Sequence, residues 1–317
     1  MMRLFSNRGG GLDQLPDGSD PAEAVWIDVF DPDAEDAAAL AKLGIEVPSF
    51  AEMREIEVSS RLYRKGDVDH MTVVMPGRAK DGTQRTLPVT FIVSDTRLVS
   101  VRYHAPKPFD TYPARAGTSV TGCADAHRIA LGFVDEVVGR QADRIEEISE
   151  ALDTLLAIVL AEEPDRAPAH LRATLRSLGL EGEKLGRLRL TLLSLERLLS
   201  FHHRVHAVKD PDKAEIVESV QRDIQALVEH SEALSERIAF ANDLTLGLIQ
   251  VDQNTTMRTF SIITAFFMPP TLIASMYGMN FSRMPELDSP WGYPVTLMVM
   301  VGSSVLAYLI FKWRRWL

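Results

Sequence analysis

The chain is 317 residues long, 46% hydrophobic and 25% charged, with a formal net charge of −10; that length suits one large or two modest domains. So acidic a chain has little to offset phosphate repulsion, which excludes nucleic acid as a partner and favours cations. Cys123 is the only cysteine, which excludes an internal disulfide and suits a reducing compartment.

The first twenty residues, MMRLFSNRGGGLDQLPDGSD, hold no apolar run of signal-peptide length, so they are expected to stay in the cytoplasm. Residues 1–120 read as mixed α/β. Strands are expected at 24–30, 61–64, 70–75, 88–93 and 98–103 from their β-branched and aromatic content, with turn residues such as Asp81-Gly82 and Ser94-Asp95 between them. Segments 33–43 and 48–56 read as short helices beside this sheet. No glycine-rich phosphate loop and no zinc-type cysteine or histidine spacing occurs.

From about residue 125 the pattern turns helical. One leucine-rich segment runs to about 162 and a second from about 167 to 208, where Gly179, Gly182 and Gly186 leave open a break. His202, His203 and His206 fall at helix-face spacings near its end. No cysteine or acid lies among them, so they read as a solvated helix end rather than a metal site. A third segment begins after Pro211 and meets no breaker before the first apolar span. Its stripe of Ile216, Val220, Ile224, Leu227, Leu234, Ile238, Ala241 and Leu248 has coiled-coil-like spacing, with a gap at Ser231. Continued through a membrane, this helix reaches roughly 100 Å at about 1.5 Å per residue. It needs neighbouring helices, expected from other subunits.

Residues 260–277 and 293–311 contain no charge, and each is long enough to cross a bilayer. Pro269-Pro270 would harm a soluble helix interior but is tolerated in a membrane helix whose neighbours satisfy the freed carbonyls. Arg258 precedes the first span, and Lys312, Trp313, Arg314, Arg315 and Trp316 follow the second. The loop between them sets Glu286 and Asp288 against Arg283. These flanks predict a multi-pass membrane protein with both termini cytoplasmic and the acidic loop outside.

Two spans cannot surround a water-filled path, so a pore would have to form between chains. At about 100° per residue, Asn254, Met257, Ser261, Thr264, Met268, Thr271 and Ser275 share an arc of about 100° that ends at Asn280. Two readings stay open. The arc lines a path with methionine constrictions, or its hydroxyls pack against the second span and bond back to their own helix. On the second span, Thr296 stands near the start, and Gly302, Ser303 and Ser304 look like helix-packing contacts.

The first span ends in Tyr277-Gly278-Met279-Asn280-Phe281, with Met284-Pro285-Glu286-Leu287 following, and the chain stops a few residues past the second span. This arrangement resembles the CorA family of magnesium transporters. The likeness extends to EMREIEVSSR at 52–61, to Arg222-Asp223-Ile224 and to Gln253-Asn254, and so covers nearly the whole chain. It implies an α+β cytoplasmic funnel domain of α/β/α layers, a very long stalk helix, two C-terminal transmembrane helices and a homopentamer in the lipid bilayer. It also implies that Gly278, Met279 and Asn280 form a selectivity ring. The chemistry agrees, because Mg2+ sheds water reluctantly and neutral amide oxygens can hold the hydrated ion.

The same resemblance assigns Asn254, Met257, Phe260, Thr264, Met268 and Thr271 to the path, beside Ser261 and Ser275 of the polar arc, with Met257, Phe260 and Met268 narrowing it. Asp223 is implied as a ligand for regulatory Mg2+ between subunits, with a funnel partner near Glu52. Glu286 and Asp288 would concentrate cations at the outer mouth. The expected organisation is therefore a cytoplasmic α/β domain at 1–120, long helices at 121–258, and a pore domain at 259–317 with its outer loop at 278–292. The expected function is transport of Mg2+, and also Co2+, gated by cytoplasmic Mg2+. A zinc transporter of the ZntB type is the nearest alternative and usually lacks the MPEL loop. A membrane-anchored coiled-coil scaffold would have no need of a polar arc. The chain shows no nucleophile motif or paired-acid cleft, so an enzyme is not expected.

Overall fold

The computed structural model describes residues 1–55, 57, 61–161, 168–206, 210–279, 284 and 289–314. It divides into two compact units, one of residues 1–160 and 176–241, the other of residues 161–175 and 242–317.

In the first unit, the described residues form one seven-stranded sheet in the order β2-β1-β3-β7-β6-β5-β4. The strands are β1 (Met2–Arg8), β2 (Gly11–Gln14), β3 (Trp26–Phe30), β4 (Leu62–Lys65), β5 (Val68–Arg78), β6 (Gln84–Val93) and β7 (Leu98–Arg102). The β3–β7 pair is parallel and the others are antiparallel. The five strands expected from sequence are all present. The β1–β2 hairpin is an addition, closed by Gly9 and Gly10 at φ 62° and 86°, the left-handed backbone that a two-residue turn demands.

Helices cover both faces. On one side α1 (Ala34–Ala41) and α2 (Phe50–Met53) bury Leu40 and Met53 among Ile27, Val29, Ile92, Val99 and Val101. Asp33 and Ser49 begin them with reciprocal capping boxes. On the other side Trp26, Phe91 and Phe5 meet Phe109 and Tyr112 of α3 (Pro108–Arg115) and Phe133 of α4 (Ala126–Leu160). Period-two alternation sends neighbouring strand residues to opposite cores: Trp26 to the second and Ile27 to the first.

Helix α5 (Pro168–His206) is unbroken by its three glycines. Each glycine costs a helix about 1 kcal/mol against alanine. That is outweighed by burial of Leu178, Leu185, Leu188, Leu192, Leu195 and Leu199, at about 1.5–3 kcal/mol for each side chain. The N-terminal part of α6 (Pro211–Tyr277) buries Val217, Val220, Ile224, Leu234, Ile238 and Ala241 in the same core. Its neighbours there belong to its own chain, contrary to the expectation of other subunits: Arg189 and Ser200 of α5 bond Glu232 and Gln221, and Asp153 of α4 bonds Arg237. Ser231, the gap in the stripe, is itself buried, with its hydroxyl donating to the Val228 carbonyl.

The histidines at the end of α5 correct another expectation. His202 and His206 are buried rather than solvated, because α5 ends against the beginning of α4 and the start of β5.

In the second unit, the rest of α6 and α7 (Gly292–Trp313) are long and apolar enough to cross a membrane, and no residue in the most apolar window of either is buried. A soluble core helix would hide those side chains. These expose Phe267, Leu272, Met298, Val301 and Leu309.

Candidate functional site

Within the second unit, Ile262, Ala265, Phe266, Pro269 and Ile273 of α6 are half-buried, as are Thr296, Met300, Ser303, Ser304, Ala307 and Phe311 of α7. Phe266 meets Tyr308 and Phe311 at ring distances of 6.4 and 6.3 Å. Small residues at Ser303, Ser304 and Ala307 form the middle of the α7 seam, as membrane helix contacts favour. Gly302, expected in that seam, lies exposed beside it.

Proline shapes this contact. Pro270 has no N–H, so the carbonyl of Phe266 four residues earlier loses its helical donor. The hydroxyl of Ser304 on α7 donates to that carbonyl at 3.4 Å. Helix α6 runs on through both prolines.

The polar arc points elsewhere. Phe266 lies roughly opposite the middle of the arc, at about 100° per residue. Asn254, Met257, Ser261, Met268, Thr271 and Ser275 are exposed, as is Phe260, while Thr264 is half-buried. The hydroxyls of Ser261, Thr264 and Thr271 donate to the carbonyls of Met257, Phe260 and Phe267. The two readings left open by the sequence thus separate: the hydroxyls bond back to their own helix, but they do not form the seam with α7. What the arc presents outward is a band of hydroxyl oxygens, each with acceptor capacity left, interrupted by Met257, Phe260 and Met268.

The arc ends at Gly278, whose N–H still donates to the Ala274 carbonyl at 2.9 Å, and at Met279, which bonds back three residues to Met276 and is exposed. A Cβ on Gly278 would stand 3.2 Å from the Ala274 carbonyl oxygen, so glycine eases the exit from the helix. Asn280, Glu286 and Asp288 lie outside the described residues.

In the first unit, Asp223 is exposed on α6. Its electrostatic neighbour is Asp135 of α4, whose pKa is raised, first by burial and then by the charges of Asp223 and Glu136. Glu52 is engaged locally. Its carboxylate accepts from the N–H and hydroxyl of Ser49, both at 2.7 Å, and those bonds hold its pKa down.

Against this geometry, residues 21–314 match the family described as CorA-like Mg2+ transporter protein. The chain belongs to that family. It is 31% identical over 318 residues to the magnesium transport protein CorA of Yersinia pseudotuberculosis, covering 99% of this chain and 98% of that one. The CorA of Haemophilus influenzae is 29% identical over 302 residues, 95% of each chain. The complete structure of the CorA magnesium transporter from Methanocaldococcus jannaschii shares the fold, with a TM-score of 0.73 at 19% identity over 98% of this chain and 97% of that one.

Asp135 was not singled out from the sequence. It sits mid-helix in an apolar run, Phe133-Val134-Asp135-Glu136-Val137, where adjacent acids are the visible signal. Only helix packing reveals that Asp223 is near.

Proposed function

We propose that this chain transports Mg2+, and Co2+ as a second hydrated dication, across the membrane through a pore built between copies of itself, five by family resemblance. The observation that carries this reading is the outward polar arc of α6. Its hydroxyls and Asn254 face away from the seam with α7 and lead to Gly278 and Met279. A lipid anchor gains nothing from such a face. A shared water-filled path uses it, since the hydrated ion meets neutral oxygens and loses little of its water shell.

In this reading Asn280 completes the selectivity ring with Gly278 and Met279, and Met257, Phe260 and Met268 form the narrow section. Glu286 and Asp288 raise the local cation concentration at the outer mouth, an effect that salt screens. Asp223, Asp135 and Glu52 of an adjacent copy form the cytoplasmic Mg2+ sensor. Acids that face one another repel until a divalent ion bridges them, so filling the site favours the closed arrangement. Both termini lie in the cytoplasm.

Uptake into liposomes containing the purified protein tests the reading. Mg2+ flux is expected in the wild type and is lost in Asn280→Ala, with assembly intact by size. Near-normal flux in a correctly assembled Asn280→Ala protein overturns the role of the ring. No wild-type flux for Mg2+ while Zn2+ passes would favour the zinc alternative.

A further inference from the structure

A second cluster, far from any carboxylate ring in its chemistry, lies inside the first unit. His127 opens α4, and His202 and His206 stand one turn apart at the end of α5; all three are buried. One ring nitrogen from each falls within 4.8 Å of the others. His127 Nδ1 and His202 Nε2 face each other at 3.2 Å. Tetrahedral coordination at about 2.0–2.1 Å places nitrogen ligands about 3.3 Å apart. That pair therefore already has ligand spacing, and a ring nitrogen of His206 lies within 4.8 Å of both.

The surroundings match a nitrogen-ligated ion. Metal-bound histidines commonly hold a carboxylate on the remote nitrogen, which fixes the ring and raises its basicity. Buried Asp69, at the start of β5, bonds His206 Nε2. Asp95 Oδ1 stands 3.7 Å from His127 Nε2. Each contact leaves Nδ1 of its histidine for an ion. His202 Nδ1 and Asp69 Oδ1 are buried without a hydrogen-bond partner, a costly arrangement for an apolar core. The nearby cations are already paired, Arg64 with Asp67 and Asp69 and Lys213 with Asp125 and Asp210.

We propose that His127, His202 and His206, steadied by Asp69 and Asp95, bind a transition-metal dication of the Zn2+, Co2+ or Ni2+ class within each chain. Imidazole suits these ions, whereas Mg2+ prefers oxygen. The site is separate from the transport path and stands whether or not the chain carries Mg2+. An ion there ties the start of α4 to the end of α5 and to β5. It also lies beside the first turn of α6, where Lys213 bridges Asp125 and Asp210. Occupancy therefore stiffens the junction from which the stalk helix departs.

The test uses the full chain in detergent, stripped with chelator and held in millimolar Mg2+ so that oxygen sites are filled. Titrated Co2+ is expected to give the visible absorption of a nitrogen-ligated ion, saturating at about one per chain. Zn2+ displaces it and further Mg2+ does not. His127→Gln and His202→Gln each weaken Co2+ binding by about 100-fold or more, against the 10–100-fold typical of lost supporting residues. Wild-type protein with no such absorption, or absorption removed by Mg2+, overturns the proposal without reference to any variant. Equal Co2+ binding by wild type and a variant that keeps the wild-type circular dichroism overturns it as well.

Discussion

The two units of this chain solve opposite solvent problems. In the first, charge is buried and satisfied: the Asp28 carboxylate accepts from Arg3, Arg102 and Ser100, and Ser100 in turn accepts from the Trp26 indole. In the second, hydrophobic surface is left open outside the polar arc, with Phe267 68%, Met298 64% and Val301 62% exposed, while the Ser304 hydroxyl in the seam donates to a backbone carbonyl. Water rewards the first arrangement and hydrocarbon the second, because a bilayer offers no partner to an unpaired polar group. Each unit is vulnerable in its own way. Removing a polar partner harms the first, and adding a charge harms the second.

Four substitutions probe that contrast, in decreasing order of effect. Asp28→Ala leaves Arg102 buried without its carboxylate and is expected to cost about 3–5 kcal/mol, read as a loss of denaturant stability in the full chain. A loss under about 1 kcal/mol, the scale of a surface ion pair, would mean that the buried network contributes little.

Val301→Arg comes next. At an exposed position in water it would be close to neutral; at the middle of a membrane helix it costs about 2.5–3.5 kcal/mol. Membrane-fraction yield should fall sharply, and an unchanged yield would break the membrane assignment of α7.

Ser304→Ala removes the donor to the carbonyl that Pro270 frees and is expected to cost about 1 kcal/mol of helix–helix stability. Adding Pro270→Ala, which restores the helical N–H, should reduce that cost. If the loss is the same with and without the proline, Ser304 serves packing alone.

The smallest effect concerns Asp135. Its folded pKa is raised, so its charged form burdens the fold. That burden is absent below the unfolded pKa and grows as pH rises through the raised folded value. Asp135→Asn should therefore gain thermal stability over the wild type on going from pH 4 to pH 7 in chelator, and millimolar Mg2+ should erase the gain. A difference that ignores both pH and Mg2+ would remove Asp135 from the proposed sensor.

Local pattern made much of this molecule legible. Charge-free runs marked both membrane helices, and β-branched and aromatic content between turn residues marked β3, β4, β5, β6 and β7. The motif at 277–280 with MPEL behind it pointed to the family. The β1–β2 hairpin escaped because its glycine run reads equally as a loop. The histidines of α5 look solvated from sequence because their partners, Asp69 and His127, are 137 and 75 residues away.

The membrane spans, the long helices, the polar arc and the family were all legible in the chain alone, since each depends on residues within a few turns of one another. Four features needed the folded molecule: which face of α6 meets α7, how Ser304 answers the gap left by Pro270, the approach of Asp223 to Asp135, and the convergence of three histidines. Those outcomes depend on side chains brought together across long stretches of chain by packing, and packing is fixed by the shape of whole surfaces rather than by any one segment.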